Sequence, residues 1–159
     1  LFTKVLRDLD YTIESANAKV ALSANAQVEG IASQLAQVFQ NIISNSLKFV
    51  KPDTQPQIDI STQTLLGNAI PIAGILPHTT YCVIKIADNG IGFDESYAGK
   101  IFDLFQRLHS RTEYKGTGIG LAICKKIVEN HSGFIFAKSK EGEGASFFIV
   151  LPLKPNAIS

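Results

Sequence analysis

Residues 34–49, QLAQVFQNIISNSLKF, constrain this chain more than any other stretch, because two patterns of the same period run through them. Leu35, Val38, Phe39, Ile42, Ile43 and Leu47 recur at the three-and-four spacing of a helix with one buried face. Asn41, Asn45 and Lys48 recur on an adjoining stripe, so two carboxamides and an ammonium project together from the border of the apolar face. Asparagine prefers caps and turns to helix interiors. The stripe therefore reads either as a polar site beside a core or as a solvated helix edge.

A chain of 159 residues supports one domain that buries roughly 70% of its unfolded surface. Residues 1–153 read as that domain and 154–159 as a tail. With 45% apolar residues, 18% charged residues and a net charge of +1, neither a disordered segment nor a nucleic-acid surface is indicated. Cys82 and Cys124 fall in apolar patterns without metal-ligand spacing, which suits a reducing, cytoplasmic setting. No apolar run approaches the ~20 residues of a membrane span, and no signal-peptide pattern or initiator Met opens the chain. The expectation is a piece of a longer protein, itself without membrane contact even if the parent is anchored.

In chain order, residues 1–18 read as one amphipathic helix, 20–22 as a short strand, and 57–64 as a half-exposed strand by its alternation. Residues 65–79, with Gly67, Pro71, Gly74 and Pro77, form a connecting loop unusually rich in apolar side chains, to which no chemistry is assigned. Residues 80–87 make a second strand, paired antiparallel with the first. Asp94 is placed to cap a short helical stretch running into IFDLFQRL. GTGIG at 116–120 opens a helix closed by Gly133, and 134–138 and 145–151 are the last two strands.

Three polar or glycine-rich clusters thus sit at the ends of apolar elements. Asp88, ending a strand in DNGIGF, could accept a hydrogen bond from an exocyclic amine such as that of adenine, and a charge-assisted bond is about twice as strong as a neutral one. The alternative for DNG is a tight hairpin turn. GTGIG at a helix start offers amide hydrogens to an anion, most often polyphosphate, or else serves only as a hinge. It matches neither a dinucleotide fingerprint, since Gly116, Gly118 and Gly120 are evenly spaced and follow no strand, nor a P-loop, since no Lys follows the glycines. Asn45 presents an oxygen suited to Mg²⁺ shared with phosphate and water, and Lys48 could balance phosphate charge. Together the clusters describe a nucleoside triphosphate site.

The chain resembles the catalytic, ATP-binding domain of sensor histidine kinases, in the superfamily that also holds DNA gyrase, heat-shock chaperone ATPases and mismatch-repair ATPases. NIISNSLKF resembles the N box, DNGIGF the first glycine box, IFDLFQRL the F box, GTGIGLAI the second glycine box, and EGEGASFFIVLP the closing strand. The resemblance implies an α/β fold, a two-layer sandwich with a mixed, mostly antiparallel sheet covered on one face by about three helices. A lid would run from about Phe93 to Gly116. It further implies Mg²⁺ at Asn45, phosphate at Lys48, the adenine amine at Asp88, Gly92 beneath the base, and Gly118 and Gly120 near the phosphates. Asn41 and Phe49 match the first N-box Asn and a position beside the purine. Phe102 and Phe105 would anchor the lid, each worth about 1.5 to 3 kcal/mol on burial, unless they are simply core. Arg107 would reach the γ-phosphate, and Gly90, Ile91, Gly116, Thr117, Ile119, Leu121 and Ser146 complete the nucleotide-binding set.

Relatives that hydrolyse ATP carry Glu four residues before the metal-binding Asn, as a general base toward water. Here Asn41 stands there and cannot take a proton, which favours phosphoryl transfer, where positioning carries most of the catalysis. His78, His109 and His131 lack the surroundings of a phosphoacceptor. The acceptor is therefore expected on a dimerisation domain of the same protein, with a response regulator receiver as the indirect partner and this piece a monomer unable to phosphorylate itself. A nucleotide- or partner-binding module without transfer and an ATP hydrolase remain as alternatives.

Overall fold

The computed structural model describes residues 2–23, 30–103 and 120–153. Five strands, β1 (Lys19–Ser23), β2 (Gln57–Leu66), β3 (Thr80–Asp88), β4 (Phe134–Lys140) and β5 (Gly144–Pro152), form one sheet in the order β1-β2-β3-β5-β4. β1 runs parallel to β2, and the other pairings are antiparallel. The described helices are α1 (Phe2–Asp8), α2 (Asp10–Ser15), α3 (Ala32–Lys48) and α4 (Gly120–Asn130).

Strand alternation assigns the two faces of the sheet. Ile58, Ile60, Cys82, Ile84, Ile86, Phe147, Ile149 and Leu151 point inward and pack with Val5, Val38, Phe39, Ile42, Ile43, Cys124 and Val128 of the helices. The mixed α/β sandwich expected from the sequence is the observed fold. The apolar stripe of α3 lies wholly in that core, and Phe2 of α1 packs on Phe39 with ring centroids 4.2 Å apart. Phe102 also belongs to it, edge-on to Phe147 at 6.3 Å.

The opposite face is not bare. Residues 67–79 fold back over it, so that Ile70 is buried against Tyr81 and Val150, with Ile72 and Ile75 beside them. The loop is apolar because it roofs the lower outer face, and Leu76 N–H donates to Tyr81 Oη at 3.3 Å.

Two local expectations change. The first helix is broken at Leu9 into α1 and α2, although Ile13 N–H still reaches Leu9 O at 2.9 Å. The left-handed residue closing α4 is Ser132 (φ 60°), not Gly133. Ser132 N–H bonds Glu129 O at 3.0 Å and Gly133 N–H bonds Val128 O at 2.9 Å, a Schellman closure displaced by one residue.

Candidate nucleotide site

The inner face of β3 ends in a carboxylate. Asp88 follows Cys82, Ile84 and Ile86 at every second place and lies opposite Ile58, so its side chain emerges beneath the C-terminal end of α3. Three donors from three segments hold it. Ser46 Oγ–H donates to Oδ2 at 2.9 Å, while Gly90 N–H and Ala145 N–H donate to Oδ1 at 2.9 and 3.2 Å. Burial pushes the Asp88 carboxyl above the usual carboxylate range, and those three hydrogen bonds pull against it.

The segment after Asp88 is fastened on every side. Asn89 ties it to the start of β2, its Oδ1 accepting from Gln57 N–H at 2.8 Å and its Nδ2 donating to Gln55 O at 3.1 Å. DNG is thus not a hairpin turn, since β3 pairs with β2 and β5. Phe49 O, just past α3, accepts from Ile91 N–H at 3.0 Å, and Ile91 O accepts from Gly142 N–H at 2.7 Å. A Cβ on Gly90 would lie 2.3 Å from Phe49 O, and one on Gly92 (φ 64°) would lie 2.5 Å from Lys140 O. Neighbouring backbone alone accounts for glycine at both places. Ser139 Oγ receives Phe93 N–H and donates to Gly144 O, both at 2.8 Å.

Asn41, Asn45 and Lys48 share one side of α3, the two amides half-buried and the ammonium exposed. Asn41 Nδ2 donates to Gly120 O at 3.3 Å, so this side chain meets the first residue of α4. Two further contacts set α4 antiparallel to α3. Cys124 Sγ–H donates to Val38 O at 3.7 Å, and His131 Nε2 accepts from Ile31 N–H at 3.0 Å. Burial pushes the Cys124 thiol up to about 12, which leaves it a small core group and no nucleophile. His131 Nδ1–H is within 2.8 Å of Ile127 O, which makes this histidine a brace between helices.

The structure therefore brings Asp88, Gly90, Ile91, Gly92 and Phe49 together at one end of α3, with Asn45 and Lys48 on the same terminal turns and Asn41 facing Gly120 and so the start of the helix that carries Leu121. Phe105, Arg107, Gly116, Thr117, Gly118 and Ile119 lie outside the described residues, as does most of the expected lid. Ser146 is not brought to Asp88. It pairs with Ala87 on the outer face, and its neighbour Ala145 is the residue whose amide reaches the carboxylate.

Three contributors escaped the sequence reading. Ser46 sits in the apolar stripe of α3 and is only 3% exposed. A hydroxyl where the period calls for an aliphatic group was the available signal, because a buried hydroxyl needs a partner. Asn89 and Ser139 gave no comparable signal, since these partners come from segments more than thirty residues away in sequence.

The half-buried carboxylate at the end of β3 thus faces a helix that carries an amide and ammonium stripe and lies beside the glycine-led α4. Residues 30–155 match the family described as histidine kinase-, DNA gyrase B-, and HSP90-like ATPase, and the chain belongs to that family. It is 42% identical over 150 residues to the Phytochrome-like protein Cph1 of Synechocystis sp., covering 94% of this chain and 18% of that protein. To the Sensor protein kinase WalK of Staphylococcus aureus it is 39% identical over 121 residues, covering 75% of this chain and 26% of the relative. The chain thus spans a minor part of the curated relatives it matches. Among solved structures, the mycobacterial sensor histidine kinase MprB shares the fold with a TM-score of 0.75 at 22% identity, over 97% of both chains.

Proposed function

We propose that this domain binds Mg-ATP between the end of α3 and the end of β3, and donates the γ-phosphoryl group to a histidine on a dimerisation domain of the same protein. The observation that carries the reading is the Asp88 carboxylate, fixed by Ser46, Gly90 and Ala145 and aimed beneath α3. A carboxylate so held accepts but does not donate, which suits an exocyclic amine. Family membership and the relatives named as a sensor kinase support transfer over simple binding or hydrolysis. So does Asn41, whose amide cannot serve as a base toward water and is turned to Gly120.

The donor set fits a magnesium ion that arrives with its nucleotide. Among the described residues no group of three or more His, Cys, Asp or Glu side chains could hold a metal alone. Asn45 would offer one amide oxygen, the remaining ligands being phosphate oxygens and water, and the bound ion would neutralise phosphate charge. Lys48 would meet the phosphates from the same helix. Gly116, Thr117, Gly118, Ile119, Leu121, Arg107 and Phe105 are assigned to the nucleotide by motif. The response regulator of the parent would be the eventual recipient. Among the described residues no helix is long and apolar enough to cross a membrane.

Calorimetry of the fragment with ATP, in magnesium and in chelator, tests this directly. Wild type should bind in a magnesium-dependent way, Asn45→Ala should lose that dependence, and a helical hairpin bearing the parent's histidine should become labelled from γ-labelled ATP. Steady phosphate release by the fragment, lost in Asn45→Ala and without labelling of the hairpin, would favour the hydrolase instead.

A further inference from the structure

Ser46 is the one residue classed as polar that is buried among the described residues. It stands on the stripe of α3 that otherwise carries Val38, Phe39, Ile42, Ile43 and Leu47. Its proton is committed, since Oγ donates to Asp88 Oδ2 at 2.9 Å. Oδ1 is committed as well, taking Gly90 and Ala145 N–H. All three neighbours give hydrogens, and none takes one.

We propose that Ser46 is a specificity-determining positioning residue, which fixes Asp88 as a pure acceptor and thereby selects a purine bearing an exocyclic amine over one bearing a carbonyl at that place. The proposal rests on the nucleotide reading above and deepens it. A hydroxyl whose hydrogen is spent on Oδ2 leaves only lone pairs on that side, so the pair Ser46–Asp88 presents acceptors to a ligand. An amino group complements them, and the O6 carbonyl of guanine is repelled. Without the hydroxyl, Oδ2 loses its fixed donor and the carboxyl loses one of the bonds that oppose its burial. The group can then turn, or take a proton and donate to a carbonyl.

The test is titration of Mg-ATP and Mg-GTP into wild type, Ser46→Ala and Ser46→Cys. In Ser46→Ala the affinity for ATP should fall roughly tenfold, the order expected for one donor to a charged acceptor, with GTP falling less, so that the ATP-to-GTP ratio narrows. Ser46→Cys, nearly isosteric but a weaker donor, should lie between the two. General loosening of the fold would weaken both nucleotides alike and leave the ratio unchanged. Wild type that prefers ATP, with either folded variant keeping the full preference, overturns the role of Ser46 and leaves the ATP site standing. Wild type that binds neither nucleotide overturns the site reading and this inference with it.

Discussion

The two ends of the candidate site are built differently. At the Asp88 end, the carboxylate and the residues after it are bonded to α3, β2, β5 and the β4–β5 turn, mostly through backbone groups. At the other end, Asn41, Asn45 and Lys48 all hang from α3, and Asn41 meets α4 at Gly120 and Cys124. A rigid, flat base is best met by a wall that is already in place, because every group ordered beforehand is one fewer to immobilise on binding. A triphosphate with its metal ion changes shape and charge during transfer, and side chains on one helix can follow it. In the proposed reading, the braced end decides which nucleotide enters and the open end decides what becomes of its phosphates.

The severest way to break this contrast is to deform the wall. A Cβ on Gly144 (φ 104°) would lie 2.1 Å from Asp88 O, where the opposing atom is backbone and cannot swing aside. Gly144→Ala should therefore destabilise the domain by about 3 kcal/mol or more, read by urea unfolding, and abolish ATP binding even where the protein still folds. Wild-type stability in this variant would mean that the wall yields, and the contrast between the ends would disappear.

A gentler change separates holding from recognising. Asp88→Asn keeps the shape, its oxygen still accepting from Gly90 and Ala145 and its amide now donating to Ser46 Oγ. Affinity for Mg-ATP should fall by roughly 2 kcal/mol, about thirtyfold, measured by calorimetry. Stability should move the other way. Because burial raises the Asp88 carboxyl in the folded state, the fold binds more protons there than the unfolded chain does. The contribution of Asp88 is therefore fullest in acid and is lost as pH rises through the folded-state value. Asp88→Asn should melt at or above the wild-type temperature near neutrality, and that advantage should shrink on acidification. A variant less stable at neutral pH than in acid, relative to wild type, would show that the charge is welcome where it sits.

How far such features were legible follows from what sequence periodicity encodes. Most of helix α3 was legible, because its apolar stripe is local and only Ser46 interrupts its period, and β2 and β3 were legible from alternation and a hydrophobic run. The family resemblance implied one nucleotide site for Asp88 and Asn45, without saying which end of α3 the strand end would meet. Pairings between distant segments were not legible: nothing near Lys19 announces a parallel partner at Gln57, and nothing in residues 67–79 announces that their apolar side chains roof Tyr81. The outward place of Ser146 was not legible for a finer reason, since choosing between it and Ala145 requires the phase of β5 against β3. Ser46 was readable in principle, as a hydroxyl on an apolar stripe, but only once a buried polar group is treated as a demand for a partner.

The smallest expected effect probes the side of the molecule that the motifs leave untouched. Ile31, at the start of α3, has a non-helical backbone and no side-chain cap of its own. His131 supplies the acceptor from across the interface, and its other nitrogen is held at Ile127 O, so one ring bridges the end of α4 and the beginning of α3. His131→Ala removes that acceptor from an exposed amide that water can partly serve, so the loss should be about 1 kcal/mol of stability, measurable as a shift in urea midpoint. Asn41 and Gly120 meet at the far end of the helix pair and should hold the register there, leaving ATP affinity within about twofold of wild type, well under the 1.4 kcal/mol of a tenfold change. A drop in affinity as large as that of Asp88→Asn would show that α3 and α4 slide as a unit when one end is freed. The stripe of Asn41, Asn45 and Lys48 would then depend on a contact some ten residues away, and the open end would be as braced as the wall it faces.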